Sequence, residues 1–339
     1  MAPSGKYLMP AEWERHEATW LAWPKDPLTF PSEILERVEA IYSQMAMFLG
    51  RGERVDLLVD DEKARRRVSR ILGGRTNVSL HKIRTADVWM RDYGPIFVRE
   101  GGGGLVATKW IFNAWGNKYD ELKPDNSSGG KVAELTDLPV VRPRFVLEGG
   151  SIDTNGRGTC ITTEQCLLNK NRNPKYDRAG IEGVLRRYLG FSNVVWLKRG
   201  ITGDDTDGHV DDLARFVGQR DVICMVEEDR RDENYEPLKE NIEALRSARD
   251  ERGRELRVIP ISMPRKKIGG DERLPASYAN FYVGNGAVLV PTFDDVNDGA
   301  AIKTISRFFP GREVVGINCE ALVYGFGGIH CVTQQQPAA

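Results

Sequence analysis

One pattern most constrains how this chain can fold. A short apolar strand, a polar loop, an amphipathic helix and a second apolar strand follow one another repeatedly. Residues 18–23 read as a strand, 31–49 as a helix and 55–59 as the returning strand. In that helix Ile34, Val38, Ile41, Met45 and Phe48 recur on one face at the 3.6-residue period. The order returns with 159–168, 178–189 and 194–197, with 222–226, 234–251 and 256–261, and with 287–291, 299–309 and 314–317. A looser copy spans 96–146, where 96–98 and 105–107 read as a hairpin around the glycines at 101–104 and the helix is poorly defined. An extra helix at 62–72 precedes a strand at 78–83. Strands that alternate with helices demand an α/β architecture, because a strand that returns parallel needs a crossover. The spacing predicts about five modules of roughly 40–65 residues. An irregular α/β sheet would carry the same pattern. Repeated modules would gather connecting loops at one end, where a site can be assembled.

Composition narrows the partners. With 48 Lys and Arg against 49 Asp and Glu, the formal net charge is -1, which gives no global attraction to nucleic acid or an anionic membrane. No apolar run approaches the roughly 20 residues that span a bilayer. The first residues lack the apolar core of a signal peptide, so a cytoplasmic location is expected. The five cysteines, an odd number without a Cys-x-x-Cys pair, argue against a disulfide scaffold. The four histidines show no zinc spacing, so no metal is expected. There is no Walker loop. The stretch 123–130 reads as a polar surface loop or a flap. Assembly into a homodimer or higher homo-oligomer is left open by the sequence.

Four polar stretches interrupt the apolar pattern. They are 87–95 with Trp89, Arg91 and Asp92, 147–153 with Glu148, 203–212 with five aspartates and His209, and 325–335 with His330 and Cys331. Cys331 lies eight residues from the end, beside glycines and a histidine. That context suits a nucleophilic thiol, or a small buried one that only packs. If 207–211 is extended, His209 and Asp211 share a face, and the carboxylate orients the imidazole for acid or base work. A solvated acidic turn is the alternative. Arg91 and Asp92 have the competing reading of a structural ion pair. Several acids with one thiol favour attack on a guanidinium carbon, since carboxylates meet the planar cation bidentately.

The stretches Met9-Pro10-Ala11-Glu12-Trp13, Trp20-Leu21-Ala22-Trp23-Pro24, 87–95, Phe112-Asn113-Ala114-Trp115-Gly116, Glu148-Gly149-Gly150, 206–211 and 328–335 resemble those of agmatine deiminases and the related bacterial peptidylarginine-deiminase-type proteins. The resemblance runs from about residue 7 to the end, with the motifs in order. It implies a single catalytic domain over 1–339 with the pentein fold: an α/β-propeller of five ββαβ modules around a pseudo-fivefold axis, the site in its central channel. It also implies hydrolysis of a small cationic guanidine, agmatine, to N-carbamoylputrescine and ammonia, without metal or organic cofactor. By the same resemblance Cys331 is the nucleophile and His209 the general acid and base. Asp92 and Asp211 hold the guanidinium, and Glu148 supports the histidine and substrate.

Trp89 and Trp115 wall the substrate chain or simply pack, and Asp205 or Asp207 meets its distal amine. His330 is given no base role, because neighbours on an extended chain point apart. Two departures from the family pattern, Gly328 and Asp212 where many relatives have Asn, touch the expected pocket lining. Peptidylarginine deimination, arginine deimination, amidino transfer and non-catalytic binding of guanidines or polyamines are the alternatives.

Overall fold

The computed structural model describes residues 6–25, 27–74 and 77–339. Among them, five sheets of three or four strands repeat one topology, beside a two-stranded ribbon of Ile268–Gly269 and Glu272–Arg273. In each sheet an antiparallel pair is followed by a helix and a parallel return. Tyr282–Val283 pairs antiparallel with Ala287–Thr292, which leads through the helix Asp298–Ser306 to the parallel Glu313–Asn318. The same order runs through Ala214–Phe216, Asp221–Val226, the helix Tyr235–Ser247 and Arg257–Ser262. It recurs in Asp153–Thr154, Thr159–Thr163, the helix Arg178–Leu189 and Asn193–Leu197. The strand Thr159–Thr163 is shorter than the expected 159–168, because the Thr163 hydroxyl accepts from Cys166 N at 3.1 Å and starts the helical turn Glu164–Leu167.

The sheet that holds the N-terminal part of the chain takes its antiparallel strand from the C-terminus. Gln334–Pro337 pairs with His16–Ala22, which leads through the helix Ser32–Leu49 to Arg54–Val59. Val78–Lys82 adds a fourth strand after the helix Glu62–Leu72. The amphipathic reading of the first helix holds at its centre: Val38, Ile41 and Met45 are buried with Tyr42 and Leu49. No helix among the described residues is long and apolar enough to cross a membrane.

The remaining sheet corrects an expectation. Ile96–Glu100 and Leu105–Thr108 form the anticipated hairpin, but the crossover to Val140–Val141 is a helix, Asp125–Leu135, across the stretch read as a loop. Its Gly129 and Gly130 oppose helix formation by about 1 kcal/mol each. Tertiary packing overrides that. A β-carbon on Gly129 would lie 1.8 Å from the carbonyl oxygen of Tyr93, so the glycine lets the helix press onto the segment carrying Asp92. At the helix start, the Asp125 carboxylate accepts from Ala86 N at 2.6 Å and Asp87 N at 2.9 Å, pinning that segment's other end. The glycines differ in consequence, because a β-carbon on Gly130 meets nothing within 4 Å. Gly129→Ala is expected to cost about 1–3 kcal/mol or more in urea unfolding through overpacking. Gly130→Ala is expected to gain about 0.5–1 kcal/mol from helix propensity. Shifts of the same sign would contradict this packing.

Candidate active site

Loops from several modules converge on a cavity of about 340 Å³, whose wall includes Cys331, Asp92, Trp89, Trp115 and Asp205. Asp92 sits in the helical turn Met90–Tyr93. Its Oδ1 accepts from Gly150 N at 3.0 Å and its Oδ2 from Trp115 Nε1 at 2.9 Å. Trp115 lies in a tight turn where Ala114, Trp115, Gly116 and Asn117 all have positive φ. Such strain persists where the surroundings over-determine it, often at functional sites. Trp89 donates to Asp87 Oδ2 at 2.7 Å and meets Trp115 edge to face at 6.4 Å. Both indoles are therefore fixed walls of the cavity as well as packed residues.

His209 lies 3.7 Å from Asp92, Nδ1 to Oδ1. Its backbone N–H is held by Asp204 and Thr206. The point where a Gly150 side chain would begin is 2.6 Å from His209 Nδ1, 3.0 Å from Asp92 Oδ1 and 3.1 Å from Asp211 Oδ2. The histidine and both acids thus surround one spot that only a glycine leaves open. Four buried atoms at this centre make no hydrogen bond: both ring nitrogens of His209, Asp211 Oδ1 and Glu148 Oε2. Unsatisfied buried polar atoms are costly, and a cluster of them marks a place built for a polar ligand.

The extended reading of 207–211 is corrected. Asp207 and Gly208 have positive φ, and Val210–Asp212 is a 3₁₀ turn. Asp211 bonds His330 Nδ1 at 2.7 Å rather than the ring of His209. Arg91 does not pair with Asp92. It reaches Glu12 at 3.4 Å and Gln335 at 2.7 Å. Asp207 is bound by Lys118, Asn171 and Arg172, so of the two candidates for a distal amine only Asp205 lines the cavity, accepting from Tyr119 Oη at 2.7 Å. Gly328 is not in the lining. A β-carbon there would lie 2.5 Å from Asn280 Oδ1.

Asn280 is a contributor that sequence reading missed. Its Nδ2 donates to Cys331 Sγ at 3.1 Å and to Asp212 Oδ1 at 2.9 Å, while its Oδ1 accepts from His330 N at 2.8 Å. The only signal was a polar residue within an otherwise apolar run. Arg172 was missed too. It binds Glu148 Oε1 at 2.9 Å, ties that glutamate to Asp207, and has no motif around it.

The electrostatics oppose a free thiolate. Burial, then Asp211, Asp212 and Asp92, push the Cys331 thiol well above the ordinary range. Burial also raises the Asp92 carboxyl to about 6, with Asp211 and Glu148 adding to the effect against His209. For His209 burial disfavours the charge, but Asp92, Cys166 and Asp211 outweigh it and hold the imidazole well above its usual value. Among the described residues, two groups could offer a metal three donor atoms lying within 4.8 Å of one another, Glu148–Cys166–His209 and Asp211–Asp212–Cys331. Their atoms are partly committed already. The Arg172 cation sits on Glu148, His330 on Asp211, and the Asn280 amide on Asp212 and Sγ.

A family profile described as Porphyromonas-type peptidyl-arginine deiminase matches residues 8–337. The chain belongs to this family. It is 37% identical over 335 residues, 98% of its length and 95% of the relative's, to a protein of Legionella pneumophila strain Philadelphia 1 and 37% identical over 360 residues to the agmatine deiminase of Stutzerimonas stutzeri, covering 98% of this chain and 96% of that one. A solved agmatine deiminase of Enterococcus faecalis superposes with a TM-score of 0.92 at 32% identity, over 98% of this chain and 96% of the other. The mixed α/β fold reaches further. An amidinotransferase of Microseira wollei shares it at a TM-score of 0.54 and 10% identity, over 97% and 96% of the two chains.

The thiol's environment has a measurable sign. Alkylation of Cys331 by iodoacetamide, followed by peptide mass spectrometry, is expected to rise through a midpoint above about 8.5, the ordinary thiol value. A midpoint at or below that value would mean that the free protein already holds a thiolate.

Proposed function

We propose that the chain hydrolyses the guanidinium group of agmatine to N-carbamoylputrescine and ammonia, with Cys331 as nucleophile. One observation carries this reading. Among the described residues, those lining the cavity include Asp87, Asp92, Glu121, Asp205 and Glu272 beside Cys331, and no Lys, Arg or His. Such a cavity favours a dication and penalises a carboxylate. Agmatine has a cation at each end; arginine would bring its carboxylate among five acids. The volume of about 340 Å³ lies at the small end of ligand sites and suits a short diamine-like chain better than a peptide. Kinship to agmatine deiminases supports the same choice.

In this reading Asp92 and Asp211 hold the guanidinium flat, and Asp205 faces the distal ammonium. The bound cation offsets the carboxylates that disfavour the thiolate, so Cys331 releases its proton to solvent when substrate arrives. Sγ adds to the guanidinium carbon. His209, already protonated, gives its proton to the departing nitrogen; the C–N bond breaks and ammonia leaves. Water then adds to the thiouronium carbon and passes a proton to His209. Collapse to the carbonyl product breaks the C–S bond, releases the remaining hydroxyl proton to solvent and restores the thiolate. Glu148, fixed by Arg172, keeps a free oxygen beside His209. We further infer that residues 1–339 act as one catalytic domain, with the five modules around a pseudo-fivefold axis as in a pentein propeller. The common ββαβ order of the sheets supports that arrangement.

Ammonia release from agmatine, arginine and a blocked arginyl peptide tests the substrate. Agmatine is expected to exceed arginine by about 100-fold or more in kcat/KM, since like charges in a desolvated site cost several kcal/mol. Preference for the peptide would overturn the choice. Cys331→Ser is expected to abolish turnover, and wild-type rates from it would end the nucleophile assignment. Asp92→Asn is expected to lower kcat/KM by about 30-fold or more, from roughly 2–5 kcal/mol for one partner of a buried charge pair.

A further inference from the structure

His330 and Glu12 lie behind the cavity and take no part in the chemistry above. His330 is 2% exposed and stands between two carboxylates, with Nδ1 2.7 Å from Asp211 Oδ2 and Nε2 2.8 Å from Glu12 Oε2. Two ionised carboxylates both accept only if both ring nitrogens carry protons. Glu12 is itself held as an anion. Its Oε1 accepts from Val283 N at 2.9 Å and meets Arg215 at 2.9 Å, and Arg91 approaches Oε2 at 3.4 Å. Arg215 is in turn bound by Asp153 at 2.7 Å. Charges therefore alternate along a buried chain from Asp153 through Arg215, Glu12 and His330 to Asp211.

We propose that His330, held as an imidazolium by Glu12, is the positioning residue that keeps Asp211 ionised and turned to receive the guanidinium. The inference rests on the proposed reaction. Asp211 spends Oδ2 on His330, while its Oδ1 has no partner and remains for substrate. Burial alone would drive Asp211 toward protonation, but the His330 hydrogen bond and charge, with His209 and Arg215, hold its carboxyl below the usual range. The other groups facing it, Asp92, Asp212 and the Cys331 thiol with Sγ at 3.7 Å, bring no positive charge. The arrangement also accounts for the histidine next to the nucleophile. Cys331 faces the cavity and His330 faces away, so one short turn sets both the attacking atom and the orientation of the substrate's anchor.

The sign of the effect follows. Removing the imidazolium raises the Asp211 carboxyl, so the acid limb of guanidinium binding moves to higher pH. Agmatine binding is to be measured by calorimetry from pH 5 to 9 in a Cys331→Ser background, where no turnover is expected. His330→Gln keeps a hydrogen-bonding side chain without the charge. It is expected to weaken binding below neutrality and raise the acid limb by about one pH unit or more, the usual effect of one close opposite charge. Glu12→Gln, which removes the anion behind His330, is expected to move the limb in the same direction by less. Should one variant misfold, the other carries the test. Unchanged acid limbs in the folded variants, with agmatine still bound by Cys331→Ser alone, overturn this inference and leave the proposed reaction standing. Absence of agmatine binding by Cys331→Ser alone overturns the reaction and this inference together.

Discussion

The buried carboxylate of Glu12 is the contact on which the site's geometry depends. It gathers Arg91 from the segment bearing Asp92, Arg215 from the strand after Asp211, the backbone of Val283 and His330 beside the nucleophile. An ion buried alone is expensive, and a buried pair seldom stabilises more than well-packed apolar groups would. What such a cluster supplies is register. Four groups from distant parts of the chain can share one carboxylate in few ways, and that sets the segments carrying Asp92, Asp211 and Cys331 relative to one another. The outlay in desolvation is recovered as placement of reacting atoms, where small displacements are costly to rate.

The cavity follows a second rule: its charge is incomplete without a cation. Burial and neighbouring acids raise both Asp92 and Cys331, so either group ionises less readily here than in water. A guanidinium changes that balance for both at once. In the proposed reaction, selectivity and activation then come from one field, because the charge that binds the substrate is the charge that ionises Cys331. A neutral molecule of the same shape would occupy the space and leave the thiol protonated.

The sequence announced the repeated module well because each helix must bury one stripe. The helix expected near 178–189 forms at Arg178–Leu189, where Asp177 caps its start by accepting from Gly180 N. It concealed Asp125–Leu135, whose glycines argue against a helix and whose reason to exist is the carbonyl of Tyr93. Of the site, Cys331, Asp92, Trp115 and Asp205 stood out as polar or aromatic residues in short motifs, and the structure gathers them around one cavity. The pairing inside the site was not legible. His209 and Asp211 are two apart, yet positive φ at Asp207 and Gly208 turns the backbone and gives Asp211 to a histidine 119 residues away. Asn280 and Arg172 act through long-range contacts that no local spacing encodes.

The antiparallel pairing of Gln334–Pro337 with His16–Ala22 bears on how the protein is made. The strand that completes the first sheet is made after the three strands it joins, and Cys331 arrives just ahead of it. A chain that stops short of residue 331 lacks the closing strand and, with it, the thiol. In the proposed reaction, chemistry therefore waits on the docking of this late strand, and closure of the first sheet and placement of the thiol become one event.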